Sequence, residues 1–167
     1  MSVRAGRRGG TPRSLHDRAL GLLAVRPRSR RELRDRLLRA GFEAAEVDEE
    51  LVGLEEVGLV DDVRFARAVA EHESGVRRSG SRALANALRA KGVGPDTVSE
   101  VVSEHGEGDE ARALALARSR AARMARVDPA KAFGRLVGLL ARRGYDPALC
   151  RTAARAALEL EVAETEP

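Results

Sequence analysis

The sequence predicts an all-α fold made of three tandem three-helix repeats. Three observations support this: a motif that recurs at a fixed spacing, apolar residues at helical intervals, and no alternating pattern typical of strands. The motif is LLRAGF, LRAKGV and LARRGY, whose glycines Gly41, Gly92 and Gly144 are 51 and 52 residues apart. Self-similarity at such a spacing is typical of repeated copies of one supersecondary unit.

Each position of the motif has a physical reason. Leucines four and eight residues before each glycine lie on one helix face, and an apolar residue follows the glycine directly. Glycine suits the left-handed position that closes a helix, and the next apolar residue then packs back on the leucine, as in a Schellman motif. We therefore expect three contacts: Phe42 with Leu37, Val93 with Leu88, and Tyr145 with Leu140.

A new helix is predicted to begin after each glycine. Asp146 and Pro147 fit an N-cap followed by proline at the first helical position, and Gly94 and Pro95 form a more weakly capped version. Upstream, residues 29–32 fit a capping box. The predicted organisation is a disordered basic tail at 1–13, repeats at 14–60, 61–106 and 107–160, and a C-terminal tail at 161–167. The first helix of the third repeat is predicted from Glu110 to about Ala125.

Charge is sorted along the chain. Residues 1–13 hold four arginines and no acid, so a disordered tail there is free to touch a polyanion, although a solvated tail without a role fits equally well. The middle helices are basic, whereas residues 43–62 hold nine acids and no base. For any single charge, pairing between neighbouring helices is the better interpretation. If the middle helices align, however, their basic residues form one stripe that attracts acidic protein surfaces or phosphate.

Catalytic patterns are missing from the sequence. It contains no phosphate-binding GxxxxGK[ST] loop, and its three histidines have neither metal-ligand nor triad spacing. Cys150 occupies the place of Val47 and Val98 in the other repeats, so we expect a small core residue. Asp61 and Asp62 are better explained by a helix N-terminus than by a cation site. We therefore expect no enzyme, no cofactor, no metal and no small-molecule substrate.

Composition places the chain among globular proteins. Hydrophobic residues make up 43% and charged residues 34%, no apolar run is long enough to span a membrane, and a single cysteine forbids an internal disulfide. With four aromatic residues the chain lacks a stacking platform for single strands. We expect a cytoplasmic monomer without membrane contact.

The segment GLVDDVRFARAVAEHESGVRRSGSRALANALRAKGV, residues 58–93, resembles the signature of the RecX family of RecA regulators. SRRELRDRLLRAGF and LLARRGYDPAL resemble the first and third repeats of that family, so the resemblance covers about residues 14–160. Val69 and Ala70 stand where many members have a bulkier residue. The residues that carry the signature are Asp61, Asp62, Phe65, Ala66, Leu88, Lys91 and Gly92.

The resemblance implies an elongated, curved array of three-helix repeats and a regulator of RecA. Such a protein binds the RecA–DNA filament in its helical groove and restrains ATP hydrolysis, strand exchange and co-protease activity. Arginine suits both carboxylate and phosphate partners. The candidate partner-binding residues are Arg30, Arg31, Arg34, Arg77, Arg78, Arg82, Arg89, Lys91, Arg142 and Arg143.

Two other functions stay open at the level of sequence. A helix, a glycine turn and a helix superficially resemble a helix-turn-helix DNA-binding module, although the helices after the first two turns are acidic. A generic helical scaffold for another acidic partner is the second. The sequence also leaves open whether a RecA regulator of this kind contacts DNA directly, and whether it caps, coats or severs filaments.

Overall fold

The structure is a computed structural model that describes residues 14–165, with side chains described through residue 159. Within this range it contains nine α-helices, one π-helical turn and no strand, so the all-α prediction is confirmed. The helices are α1 (Leu15–Val25), α2 (Arg30–Arg39), α3 (Ala44–Glu56), α4 (Asp62–His72), α5 (Ser81–Ala90), α6 (Pro95–Gly106), α7 (Asp109–Ala121), α8 (Pro129–Arg142) and α9 (Pro147–Thr165). The π-turn is Glu73–Arg77, directly after α4.

The chain forms two compact units. The N-terminal unit ends at Asp61 and contains α1–α3, and the C-terminal unit begins at Asp62 and contains α4–α9. The predicted further division at 106/107 stays a prediction. The predicted tail at 1–13 lies outside the described residues, and α9 continues to Thr165, beyond the predicted end of the third repeat at 160. None of the described helices is both long and apolar enough to cross a membrane.

Each set of three helices has its own cluster of buried side chains. In the N-terminal unit Leu33 and Leu37 of α2 pack with Leu51 of α3, and all three are fully buried. Burial of each leucine stabilises the fold by about 1.5–3 kcal/mol. In the C-terminal unit one cluster is formed by α4–α6 and another by α7–α9. The cores follow the apolar spacing that the sequence analysis used.

Helix α7 packs through small side chains. It ends at Ala121, earlier than the predicted end near Ala125, and buries Ala113 and Ala117. The facing helix α9 buries Ala153 and Ala154 in the same cluster. Because the distance between packed helices follows the size of the side chains between them, alanines allow a close approach.

The three repeated glycines end α2, α5 and α8 as predicted. Gly41, Gly92 and Gly144 have φ of +95°, +75° and +81°. In each case the residue after the glycine donates its N–H to the carbonyl five residues back, for example Phe42 to Leu37 at 3.4 Å. The glycine itself donates to the carbonyl three residues back. The Schellman motif is therefore confirmed at all three sites, and the two apolar partners of each stop share a core cluster.

A fourth stop of the same type ends α3. Gly58 has φ +71°, Leu59 N–H donates to Leu54 O at 2.9 Å, and Gly58 N–H donates to Glu55 O at 2.9 Å. The signal for it is the same spacing of leucine, glycine and apolar residue, in LEEVGL. This stop closes a third helix rather than a middle one, so it lies outside the set of three repeated stops.

Gly144 is expected to tolerate alanine far less well than Gly41. Both substitutions place a Cβ in left-handed backbone, which costs about 1–2 kcal/mol. A Cβ at Gly41 meets nothing within 4 Å, whereas one at Gly144 lies 2.5 Å from both the Cβ and the backbone N of Ala83. Gly144→Ala should therefore lose a further 1–3 kcal/mol or so through overpacking.

The measurement is the free energy of unfolding of the unit that carries each substitution, from hydrogen exchange of its slowest amides. Gly41→Ala serves as the matched control for the backbone effect. Equal losses of unfolding free energy in the two variants would show that the close approach at Gly144 does not affect stability.

Candidate basic interaction surface

The N-terminus of α5 is capped by groups from the α7–α9 bundle. Its N-cap residue, Gly80, has no side chain, so α5 cannot satisfy its first amides locally. Three successive amides instead donate across the junction between α4–α6 and α7–α9. The bonds run from Gly80 N to Arg143 O (2.9 Å), from Ser81 N to Asp109 Oδ2 (3.0 Å) and from Arg82 N to Gly144 O (3.1 Å).

Two glycines allow the backbones to meet this closely. A Cβ at Gly80 would lie 2.6 Å from Gly144 O and 2.7 Å from Tyr145 Cδ1. A Cβ at Gly144 would meet Ala83, as described above. Any larger residue at either position would separate the donors of α5 from the carbonyls after α8.

The segment before α5 is a π-turn followed by a short loop. Glu73 is buried, and its Oε2 accepts from Ser79 Oγ at 2.6 Å while its carbonyl accepts from Ser79 N at 3.0 Å. Arg78, between them, has φ +50° and ends the turn in left-handed backbone. Left-handed backbone costs energy for a residue other than glycine, so the surrounding hydrogen bonds must hold it there. Short π-helical segments are frequent at functional sites.

Two side chains from the turn after α8 hold this loop. Tyr145 Oη donates to Arg78 O at 2.8 Å, and the Arg143 guanidinium donates to Arg77 O. Burial raises the pKa of the Tyr145 phenol. The phenol therefore keeps its proton and remains a donor at neutral pH.

A polar layer lies beneath the loop. His105 is buried, with Nε2 3.1 Å from Ser79 O and Nδ1 3.1 Å from Ser74 Oγ. Because a carbonyl oxygen only accepts, Nε2 carries the proton of that hydrogen bond. Asp109, which caps α5, also accepts from Arg112 Nη2 at 2.6 Å. The layer fixes the loop from below and leaves its outer side to solvent.

These contacts bring the backbone positions of five arginines close together, and we call this place the basic junction. Arg77 ends the π-turn and Arg78 follows it, with both carbonyls bound by side chains from the turn after α8, and Arg82 lies in the first turn of α5. The side chain of Arg77 pairs with Glu73 at 3.2 Å. Within the described part of the chain, the side chains of Arg78, Arg82 and Arg142 have no ion-pair partner. The members of the basic junction are Arg77, Arg78, Arg82, Arg142 and Arg143.

The exposed face of α5 extends the basic junction. Arg82 and Arg89 are seven residues apart, so they lie on the same side of the helix, and both are exposed. Arg89 is 3.5 Å from Asn86 Oδ1, a weak contact on that same face. Lys91 follows at the C-cap of α5.

The candidate residues of α2 are largely used within their own unit. Arg34 binds Asp48 with Nε at 2.6 Å and Nη2 at 2.9 Å, and Arg30 pairs with Glu55 at 3.0 Å. The bonds from Arg34 hold the pKa of the Asp48 carboxyl below its usual range. Arg31 has no such partner within the described residues. Pairing between neighbouring helices thus engages Arg30 and Arg34, and their contact with a partner stays a prediction.

The residues of the family-like signature have structural positions. Phe65 and Ala66 of α4 and Leu88 of α5 are buried in one cluster. Gly92 forms the helix stop of α5, and Asp62 begins α4 as predicted, directly after Asp61. The signature thus maintains the core beside the basic junction.

Four residues that build the site were not recognised in the sequence as such. They are Glu73, Gly80, Asp109 and the hydroxyl of Tyr145, which sequence reasoning used only as a helix stop. One signal pointed to a distant cap: the N-cap of α5 is a glycine and its first turn has no acid, so the cap has to come from elsewhere.

Cys150 is a core residue, as predicted. It is fully buried, and burial raises the pKa of its thiol, which keeps it in the unreactive form. The part of the chain that the structure describes contains no group of histidine, cysteine and acidic side chains arranged to bind a metal ion.

The fold and the site define the class: an all-helical protein of small three-helix sets, with exposed arginines around the start of α5. The model of RecX, first three-helix domain, matches residues 16–52, and that of RecX, second three-helix domain, matches residues 61–102. The chain is similar to "Regulatory protein RecX" of Streptomyces lividans, with 39% identity over 150 residues, covering 88% of this chain and 79% of that protein. The same-named protein of Thermobifida fusca (strain YX) is 37% identical over 170 residues, covering 98% and 92%.

The chain belongs to the RecX family. The crystal structure of RecX from Lactobacillus salivarius has the same fold, with a TM-score of 0.80 over 87% of this chain and 95% of that chain, at 18% identity. The resemblance drawn from the sequence is confirmed.

Removing the Tyr145 hydroxyl should weaken the contact between α4–α6 and α7–α9 without disturbing the helix stop at Gly144. Tyr145→Phe loses the bond to Arg78 O, while the backbone bond from Tyr145 N to Leu140 O stays. We expect the C-terminal unit to lose about 0.5–1.5 kcal/mol of its free energy of unfolding, measured by urea denaturation.

Thr152→Val is the matched control, because it removes an exposed hydroxyl that donates to Ala148 O within α9. It should change stability by less than Tyr145→Phe. If both variants were as stable as the parent, the hydrogen bond from Tyr145 to Arg78 would contribute nothing to the free energy of unfolding.

Proposed function

We propose that the chain is a non-enzymatic regulator that binds the RecA–DNA filament in its groove. By occupying the filament it restrains ATP hydrolysis, strand exchange and co-protease activity. It acts in the cytoplasm as a monomer without a cofactor. The proposal rests on membership of a family whose relatives are named regulatory protein RecX, and on the basic junction as the surface suited to such a partner.

The basic junction suits a polyanionic partner because the backbone that carries its arginines is held in place before binding. The backbone of Arg82 is held by the hydrogen bond from its N–H to Gly144 O, and the backbone of Arg77 and Arg78 is held from the turn after α8. Guanidinium groups bind phosphate and carboxylate through paired hydrogen bonds. Positions fixed in advance reduce the entropy lost on binding. A nucleoprotein filament offers both kinds of anion.

Regulation follows from a preference for one state of the partner. A ligand shifts an equilibrium only as far as it binds one state better than another. Here the preferred state is the assembled filament, which presents repeated copies of its anionic groups. Once one set of helices binds, the linked sets are held close to neighbouring copies, and this raises the overall affinity.

Reversing three charges of the basic junction should weaken inhibition without unfolding the chain. The variant is Arg78→Glu/Arg82→Glu/Arg142→Glu, chosen because these side chains have no ion-pair partner within the described residues. The concentration needed for half inhibition of DNA-dependent ATP hydrolysis by RecA should rise by about tenfold or more, which corresponds to 1.4 kcal/mol or so.

The matched control is Arg118→Glu/Arg151→Glu/Arg155→Glu, which changes the net charge equally at exposed positions of α7 and α9. It should inhibit like the parent chain. Circular dichroism checks that both variants are folded. Equal inhibition by the two folded triple variants would remove the basic junction from the mechanism.

Co-sedimentation separates the proposal from a DNA-binding function. The parent chain should sediment with RecA assembled on single-stranded DNA, and much less with RecA lacking DNA or with duplex DNA alone. Equal retention by naked duplex would favour a DNA-binding module. No retention by filaments would contradict the proposed function.

A further inference from the structure

His105 of α6 is a buried histidine that connects both ends of the segment before α5. Its side chain is only 2% exposed. Nε2 donates to Ser79 O at 3.1 Å, at the end of the loop, and Nδ1 lies 3.1 Å from Ser74 Oγ, in the π-turn. Arg77 and Arg78 lie in the chain between these two contacts.

The hydroxyl of Ser74 has a second hydrogen-bond partner. Ser74 Oγ donates to Ala70 O, in the last turn of α4, at 2.9 Å. A serine hydroxyl has one proton, and a carbonyl oxygen can only accept. While that proton is on Ala70 O, Ser74 Oγ can only accept from His105 Nδ1, so Nδ1 must carry a proton as well. The three hydrogen bonds are satisfied together only when the imidazole carries both ring protons and is cationic.

A neutral imidazole leaves one of these groups unsatisfied. With Nε2 still donating to Ser79 O, Nδ1 becomes an acceptor and competes with Ala70 O for the single Ser74 proton. If the hydroxyl turns to Nδ1, Ala70 O loses its side-chain donor, and if it does not, two lone pairs face each other at 3.1 Å. Hydrogen bonds from a charged donor are also stronger than neutral ones, so the neutral form holds the loop less firmly.

The charges around His105 permit a cation there. Asp109 Oδ1 lies 3.9 Å from His105 Nε2. The two arginines beside the ring are themselves paired, Arg112 with Asp109 at 2.6 Å and Arg67 with Glu104 at 2.8 Å. The charged and titratable groups on the elements around the imidazole are Arg67 and Glu71 of α4, Glu73 of the π-turn, Glu104 of α6, Asp109 and Arg112 of α7, and Arg143 and Tyr145 of the turn after α8.

An open cavity gives water access to the Ser74 side of the ring. Its volume is about 340 Å³, and Ser74, His105 and Arg112 are among the residues that line it. Although the ring is buried, its Nδ1 proton can therefore exchange with solvent.

We propose that His105 and Ser74 form a proton-dependent latch on the π-turn and the loop before α5. The latch is closed when both ring nitrogens carry protons, and it opens when Nδ1 loses its proton. Since the charged form satisfies all three hydrogen bonds, the latch stabilises the loop at low pH, and this contribution is lost as pH rises through the titration of the ring. The latch thereby controls how firmly the backbone of Arg77 and Arg78 is held. It is a property of the chain alone and does not depend on binding to RecA.

Hydrogen exchange at the Ser79 amide tests the latch in the full chain. This amide donates to Glu73 O at 3.0 Å and closes the loop. Its protection factor, which removes the intrinsic effect of pH on exchange, is measured from about pH 5.5 to 8, where histidines titrate and ordinary carboxyls do not. We expect protection to fall by about tenfold across this range, the effect of losing one charge-assisted hydrogen bond.

Two variants locate the effect. His105→Gln offers an amide donor to Ser79 O but cannot titrate, so the fall in protection should disappear. Ser74→Ala removes the shared hydroxyl, so the fall should be much smaller than in the parent, and this variant carries the test if His105→Gln does not fold. In the parent, the ring ¹⁵N signals of His105 should show two protonated nitrogens at the low-pH end of the range.

His72→Gln and Ser119→Ala are the matched controls. His72 is exposed at the end of α4, and Ser119 Oγ donates to Leu116 O at 2.9 Å within α7. Both variants should show the same fall in protection as the parent. Constant protection in the parent, an undiminished fall in Ser74→Ala or His105→Gln, or loss of the fall in His72→Gln would overturn the proposal. So would a neutral His105 ring at the low-pH end.

Discussion

The C-terminal unit depends on the hydrogen bonds that the first backbone amides of α5 make. A helix leaves its first amides without internal partners, and a buried donor left unpaired costs about 1–3 kcal/mol. Gly80 provides no cap, so Arg143 O, Asp109 Oδ2 and Gly144 O take that role for three successive amides. The two bundles of this unit are thus joined by backbone geometry as well as by apolar contact, and the joint requires that neither glycine carry a side chain.

The position of the arginines follows from that joint. The turn after α8 provides the carbonyls that cap α5, and it also carries the Arg143 and Tyr145 side chains that bind the loop before α5. A structural contact and a cationic surface therefore share the same few residues. In the N-terminal unit the arginines of α2 are used differently, because the acids of α3 pair with two of them. Similar sequence patterns thus leave exposed arginines without ion-pair partners among the described residues of one unit, and form ion pairs between helices in the other.

The sequence predicted the features that depend on interactions between residues close in the chain. Helix stops at three glycines, leucines on a shared face and Cys150 in the core depend on residues close in the chain, so spacing alone revealed them. The cap on α5 joins Ser81 to an acid 28 residues away, and no local pattern encodes that distance. The same holds for the Tyr145 hydroxyl, whose partner is 67 residues away. From the sequence, pairing of Arg30 and Arg34 was only a general expectation, because the packing of α2 on α3 determines which charges meet.

Hydrogen exchange at the amides of Gly80, Ser81 and Arg82 tests the shared joint most directly. First-turn amides of an ordinary helix exchange quickly because water is their partner. If the α7–α9 bundle caps α5, these three should exchange as slowly as the amides of Leu84 and Leu88 in the core of the same helix. Exchange at the rate of a frayed terminus would contradict the account, since the two bundles would then separate without unfolding.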